Sequence, residues 1–285
     1  MTVPFFLHMH KAGGSSVCKM ARLMNHSVSQ PPQNWNCNDR RLEAAFLRNC
    51  SHGQRYVERA GRTFVAWESP MPSLPLASAV LRCPGFSYGT VLRDPLHRVA
   101  SWLREAMWVT GVQADGERVR REVELLACSR TSGAPPMINL TLVPPLWQDM
   151  LDNGYTRALT ALTSDVQCRR LMRCPAVATR LPFGGVRLEH RRSALRLLAD
   201  HFDIVSPLEN LSMAAFAAWG WSLPDVPRAN AINTTRKNIT ADLTADPTYP
   251  LSAAAVGCLH ELNSHDAALY AVAQRRRVRR PGPYM

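Results

Sequence analysis

A chain of 285 residues that is 46% hydrophobic and 20% charged has the composition of a globular protein with a sizeable core, which excludes disorder for its bulk. Lys and Arg number 34 against 22 Asp and Glu, a net charge of +12. The expected partners are therefore anionic: phosphates, sulfated sugars, nucleic acid or a membrane surface.

Residues 3–9 are nearly all apolar and read as a short buried strand. A glycine turn follows at Gly13 and Gly14. Then Val17, Met20, Ala21 and Met24 fall on one helical face, with Ser15 or Ser16 able to cap its start. Residues 27–40 read as loop and 41–60 as helix. Residues 63–67 and 86–92 are the next strand candidates. Asp94-Pro95 is a helix start, with Asp94 as N-cap and Pro95 in the first turn, and Leu96, Val99, Leu103 and Met107 continue the period. Residues 111–150 look less regular. Helices are expected at 153–163, 189–201 and 208–219, a strand at 202–206, and an irregular loop at 222–249. One long final helix carries the stripe Leu251, Ala255, Cys258, Leu262, His265, Leu269 and Val272. Alternating strands and helices imply an α/β fold with a largely parallel sheet. The whole of 1–285 is expected to be a single catalytic domain, with a basic tail from about 275, where Arg275, Arg276, Arg277, Arg279 and Arg280 crowd together.

Eight cysteines include no CxxC pair, which argues against zinc. Six N-x-[ST] sequons, at Asn25, Asn49, Asn139, Asn210, Asn233 and Asn238, join them in pointing to a secretory lumen. Cys168 with Cys174 and Cys37 with Cys50 are the plausible disulfides by spacing. The first residues lack a basic region and a cleavage site, and no apolar stretch approaches a membrane span. A lumenal location therefore requires an N-terminal anchor absent from this chain, with the chain a fragment. Otherwise the protein is cytoplasmic.

Two segments carry chemistry. His8-Met9-His10-Lys11-Ala12-Gly13-Gly14-Ser15-Ser16 lies between strand and helix. Its glycines let backbone approach a phosphate, the helix N-terminus offers N–H groups, and Lys11, Ser15 and Ser16 add donors. Lys11 precedes the glycines, so this is not the magnesium-binding GxxxxGK[ST] loop of a nucleotide kinase. The second segment, Arg93 to Ser101, repeats the strand–helix junction, with Arg98 and Ser101 three apart on one face. Trp67, Trp102 and Trp108 are equally ambiguous: a sugar ring could stack on one, but core packing is the expected role.

The first segment resembles the 5′-phosphosulfate loop of the Golgi carbohydrate sulfotransferases, H-I-P-K-T-G-G-T-S. Arg93-Asp94-Pro95, with Arg98 and Ser101, resembles their 3′-phosphate motif, R-D-P-x-x-R-x-x-S. The heparan sulfate 2-O- and 6-O-sulfotransferases are the nearest in pattern. A looser likeness extends to 153–157, 202–205 and the final helix. The resemblance implies a P-loop-like three-layer α/β sandwich. It also implies transfer of a sulfuryl group from 3′-phosphoadenosine-5′-phosphosulfate (PAPS) to a hydroxyl, with no metal and no nucleic-acid partner. By position Lys11, Gly13, Gly14, Ser15 and Ser16 would hold the 5′-phosphosulfate. Arg93 and Ser101, supported by Arg98, would hold the 3′-phosphate. Arg236 and Lys237 match the segment that closes over the nucleotide. His10 and Ala12 depart from the usual proline and threonine. The relatives place a histidine base after the second strand; here that segment carries Glu68 instead. Glu68 is the first candidate base and His10 the second, with Lys11 meeting the charge on the leaving group. The acceptor is an anionic glycan or another hydroxyl-bearing molecule. A PAP- and glycan-binding protein without catalysis, or a small-molecule sulfotransferase, are the other readings.

Overall fold

The structure, a computed structural model, describes residues 2–29, 36–39, 50–69, 83–110, 116–129, 150–163, 183–209, 211, 213–221 and 251–276. Its centre is a parallel sheet of β1 (Val3–Met9), β2 (Val65–Ser69), β3 (Phe86–Leu92) and β4 (Ile204–Pro207), in the order β2-β1-β3-β4. The described helices are α1 (Gly14–Leu23), α2 (Cys50–Arg59), α3 (Pro95–Thr110), α4 (Gly116–Cys128), α5 (Gly154–Thr163), α6 (Leu188–His201), α7 (Ala253–Leu262) and α8 (Ser264–Arg275). The result is a three-layer α/β sandwich.

β1 is apolar throughout because it has a strand on each side and helices over both faces. Its alternate residues divide between two cores. Phe5, Leu7 and Met9 pack with Tyr155, Leu159, Leu197, Leu198 and Leu269 from α5, α6 and α8. Phe6 packs on the other face with Val17, Met20, Phe64, Phe216 and Trp219. A third cluster joins α3, α4 and α7 through Val99, Trp102, Leu126 and Leu259. Trp67 and Trp102 are buried core residues, as expected.

Several expectations shift. Within 111–150, α4 is a regular helix: Val123, Leu126 and Ala127 are buried, and Glu117–Arg121, Arg118–Glu122 and Arg120–Glu124 pair along its surface at i, i+4. The long final helix is two helices broken at Asn263. The Asn263 amide donates to Leu151 O and Leu259 O, while its Oδ1 accepts from Asn153 N, so side chain and helix ladder compete. The helix expected at 208–219 is a 3-10 turn, Met213–Trp219. Residues 222–249 lie outside the described residues, as do 41–49.

Three disulfides join Cys18 to Cys37, Cys50 to Cys83 and Cys128 to Cys258. The expected Cys37–Cys50 bridge is therefore wrong. Residues 36–39 run along β2, where Asn38 bridges to Ala66, and this sets Cys37 against α1. Cys50 opens α2 and meets Cys83 just before β3. Cys168 and Cys174 lie outside the described residues. Three buried or half-buried bridges fit an oxidising, secretory-type compartment. Among the described residues no helix is long and apolar enough to cross a membrane.

Candidate functional site

In a parallel sheet every strand ends on the same side, where the connecting loops form a shared edge. β1 and β3 pair from Val3↔Phe86 to Leu7↔Thr90, so Met9 and Leu92 finish level. Strand spacing is about 4.8 Å, so the loops that follow, carrying Lys11 and Arg93, are neighbours. The two chemistry-bearing segments of the sequence meet at this edge.

The loop after β1 turns tightly. Ala12 N donates to Met9 O, and Lys11 and Gly13 both have positive φ, 62° and 85°. Gly13 fits that conformation freely; Lys11 is held there by the turn. The helical ladder starts with Ser16 N and Val17 N donating to Gly13 O, so the N–H groups of Gly14 and Ser15 precede it. Gly14 has no room for a side chain: a Cβ there would collide with the His8 imidazole, which is buried beneath it. Ser15 Oγ donates to Asn36 Oδ1 at 2.6 Å, and Ser16 is buried.

A row of charged groups crosses the mouth of this loop. His10 Nδ1 lies 2.7 Å from Glu68 Oε1, and His10 Nε2 lies 3.1 Å from Glu105 Oε2. The same Glu105 oxygen is 3.1 Å from Lys11 Nζ. Glu68 Oε2 accepts from Asn38 Nδ2 at 2.7 Å, and His8 Nδ1 stands 3.5 Å from Glu68 Oε1. Burial alone would lower the His10 pKa, but the hydrogen bonds to Glu105 and Glu68 outweigh it and raise it. Burial works to raise Glu68, and the His10 hydrogen bond with the two imidazoles reverses this, leaving its pKa low. The His10 hydrogen bond, helped by Lys11, brings Glu105 down to about 2. Burial keeps His8 neutral by lowering its pKa. The array thus sets the Glu68 and Glu105 carboxylates against His10 and Lys11.

At the end of β3, Asp94 caps α3 as expected: its Oδ1 accepts from Leu96 N at 3.0 Å and His97 N at 3.1 Å. Arg93 is half-buried. Its backbone is held by Tyr155, whose hydroxyl accepts from Arg93 N at 2.9 Å and donates to Arg93 O at 3.1 Å. Burial lowers the Arg93 pKa against the opposing charge of Glu209, so its guanidinium has lost water that an anion would replace. Ser101 is half-buried two turns along α3.

Arg98 does not join them as a ligand-facing group. It is 1% exposed, with Nη2 3.6 Å from Asp266 Oδ2 and its guanidinium 4.9 Å from the centre of the Tyr155 ring. A Cβ on Gly154 would come within 2.7 Å of Arg98 Nη1, which accounts for the glycine there. Arg98, expected in a supporting role, lies under Tyr155 and through it behind Arg93.

His10 and Glu68 are in direct contact and Lys11 is joined to His10 through Glu105, with Gly13, Gly14, Ser15 and Ser16 behind them. Arg93 and Ser101 stand at the neighbouring junction. Arg236 and Lys237 lie outside the described residues. Sequence reasoning missed Glu105, Asn38 and Asn36. Glu105 carried a signal: it lies four residues after Ser101, on the same face of α3. The asparagines carried none, since their loop is placed by the Cys18–Cys37 bridge.

No protein-family model, curated protein or solved structure matches this chain. Among the described residues no group of three or more His, Cys, Asp or Glu side chains is arranged to hold a metal ion.

Proposed function

We propose that the chain is a PAPS-dependent sulfotransferase that sulfates a hydroxyl, with a carbohydrate as the acceptor. The observation that carries this reading is the pairing of two strand–helix junctions suited to anions at level ends of adjacent strands, with the His10 imidazole, held by Glu68, beside the first. The residues fit such a donor. The glycine turn, the leading N–H groups of α1 and Lys11 suit the 5′-phosphosulfate, and the part-desolvated Arg93 with Ser101 suits the 3′-phosphate.

PAPS supplies an activated sulfuryl group: the acceptor oxygen bonds to sulfur as the sulfur–oxygen bond to adenosine 3′,5′-bisphosphate (PAP) breaks. The geometry favours His10 over Glu68 as the base. Both Glu68 oxygens are engaged, by His10 and Asn38, and its pKa is low. Glu68 instead fixes the imidazole through Nδ1, so that Nε2, which meets Glu105 here, takes the acceptor proton once that contact is released. Lys11 Nζ and the N-terminus of α1 meet the charge that gathers on the leaving oxygen. The disulfides suit a lumenal enzyme of the secretory pathway, such as the Golgi.

The test is transfer of labelled sulfate from PAPS to a panel of heparan, chondroitin and desulfated glycans, beside Lys11→Ala, His10→Ala and Glu68→Gln. Transfer by the parent chain, abolished in Lys11→Ala and His10→Ala, supports the reading. PAP binding without transfer to any glycan points to a small-molecule acceptor or a non-catalytic binder. Failure to bind PAP overturns it.

A further inference from the structure

Glu105 stands apart from the residues used so far. It comes from α3, the helix of the second junction, yet its carboxylate reaches across to both cations of the first. The contact is made by one oxygen, Oε2, which lies 3.1 Å from Lys11 Nζ and 3.1 Å from His10 Nε2. These are the two atoms that the proposed reaction needs free. Lys11 must face the donor's anion, and His10 Nε2 must face the acceptor hydroxyl.

We propose that Glu105 is a displaceable internal anion: its carboxylate holds Lys11 and His10 together, and a donor gains Lys11 only by displacing it. This inference deepens the sulfotransferase reading and rests on it.

A phosphosulfate and a carboxylate are both anions seeking the same ammonium, so they compete. Two like charges a few ångströms apart at a part-exposed site repel, so the donor and the carboxylate do not share the ammonium. The outcome is an affinity for anions set lower than the glycine cradle alone would give. Displacement has a second consequence at His10. The charged and titratable groups around its ring are Glu68 from β2, Glu105 from α3, Lys11 beside it in the loop and His8 from β1. Removal of Glu105 leaves Glu68 as the one carboxylate on the ring. The imidazole then gives up its proton more readily and is better suited to act as a base. One movement thereby releases the donor's cation and prepares the proton acceptor. The competing assignment is that Glu105 merely orients Lys11 towards the donor. In that case its loss weakens donor binding.

The experiment measures PAP affinity by calorimetry for the parent chain, Glu105→Gln and Glu105→Ala. Glu117→Gln serves as the control, because it makes the same change in net charge on an exposed face of α4. Glu105 is 40% exposed at its side chain, so the variants leave the core untouched; matching thermal melts check this. The expected result is PAP binding about tenfold tighter in both Glu105 variants at low salt, with no change in Glu117→Gln. The gain should shrink at high salt, as screening weakens the competition. Unchanged or weaker PAP binding in the Glu105 variants overturns the inference and leaves the donor reading standing. If no variant binds PAP, the donor reading falls, and this inference with it.

Discussion

Asn153 and Asp266 cap each other's helices. Asn153 Oδ1 accepts from His265 N and Asp266 N at the start of α8, and the Asp266 carboxylate accepts from Tyr155 N and Thr156 N at the start of α5. The Thr156 hydroxyl and the Arg98 guanidinium complete the surroundings of Asp266, which is fully buried. Four leading N–H groups of two helices are thus satisfied inside the protein, where water does not reach. The same carboxylate is the partner of the one arginine of the second junction that is fully buried.

Asp266→Ala should therefore be among the most damaging single changes in the chain. It leaves Arg98 buried without its carboxylate and uncaps α5, at a cost of about 3–5 kcal/mol. Asp266→Asn keeps part of the cap and should cost less. Urea unfolding with both variants checks this. A loss below about 1 kcal/mol for the alanine variant would show that the pair carries no such weight.

The Cys18–Cys37 bridge should matter to the site as well as to stability. It fixes the segment 36–39 to α1, and that segment supplies Asn36 to Ser15 and Asn38 to Glu68. Replacing both cysteines by serine should cost about 3 kcal/mol, as expected for a loop of this size. Asn38→Ala keeps the bridge but removes the Glu68 contact. If His10 is the base, it should reduce turnover several-fold while PAP affinity holds, because Asn38 touches Glu68 and not the glycine loop. An equal fall in both quantities would assign Asn38 to the fold alone.

What the sequence made legible was local. The strand, the glycine turn and the helix from Val3 to Leu23 announce themselves within 21 consecutive residues, as does the Asp94-Pro95 start of α3. Apolar runs and caps are properties of neighbouring residues, so they survive without an alignment. The parts that misled depend on chain segments far apart in sequence. Cys37 looked close to Cys50, but pairing follows from the strand edge beside which Cys37 lies. Asn263 looked like one more position inside a single helix, and two of its partners are 110 and 112 residues away. Arg98 matched a phosphate motif by spacing, yet the acid that claims it lies on α8.

Rate against pH separates the two candidate bases. A base must be unprotonated to accept the acceptor's proton, and His10 has its pKa raised above 6.5. With His10 as base, kcat/KM, which reports the free protein, should rise with pH along a limb lying above the ordinary imidazole value. Glu68→Gln removes a carboxylate that favours the imidazolium, so the limb should move to lower pH. With Glu68 as base, whose pKa is held below 4.5, the rate would already be level from about pH 5.5 upwards. A flat profile between pH 5.5 and 8.5 would return the role to Glu68.

Tyr155 offers a test of the second junction that does not touch a charge. Its hydroxyl is buried and makes both backbone hydrogen bonds of Arg93, so it sets the direction in which the arginine leaves β3. Burial pushes the phenol pKa upward, so it stays protonated and can donate to Arg93 O. Tyr155→Phe keeps the ring over which Arg98 lies and removes the two hydrogen bonds, at about 1–3 kcal/mol of stability. If Arg93 serves the 3′-phosphate, this variant should bind PAP about tenfold more weakly. Its affinity for adenosine 5′-phosphate, which lacks the 3′-phosphate, should be unchanged. Equal weakening towards both nucleotides would mean that Tyr155 supports the loop as a whole, and that Arg93 has no special claim on the 3′ end.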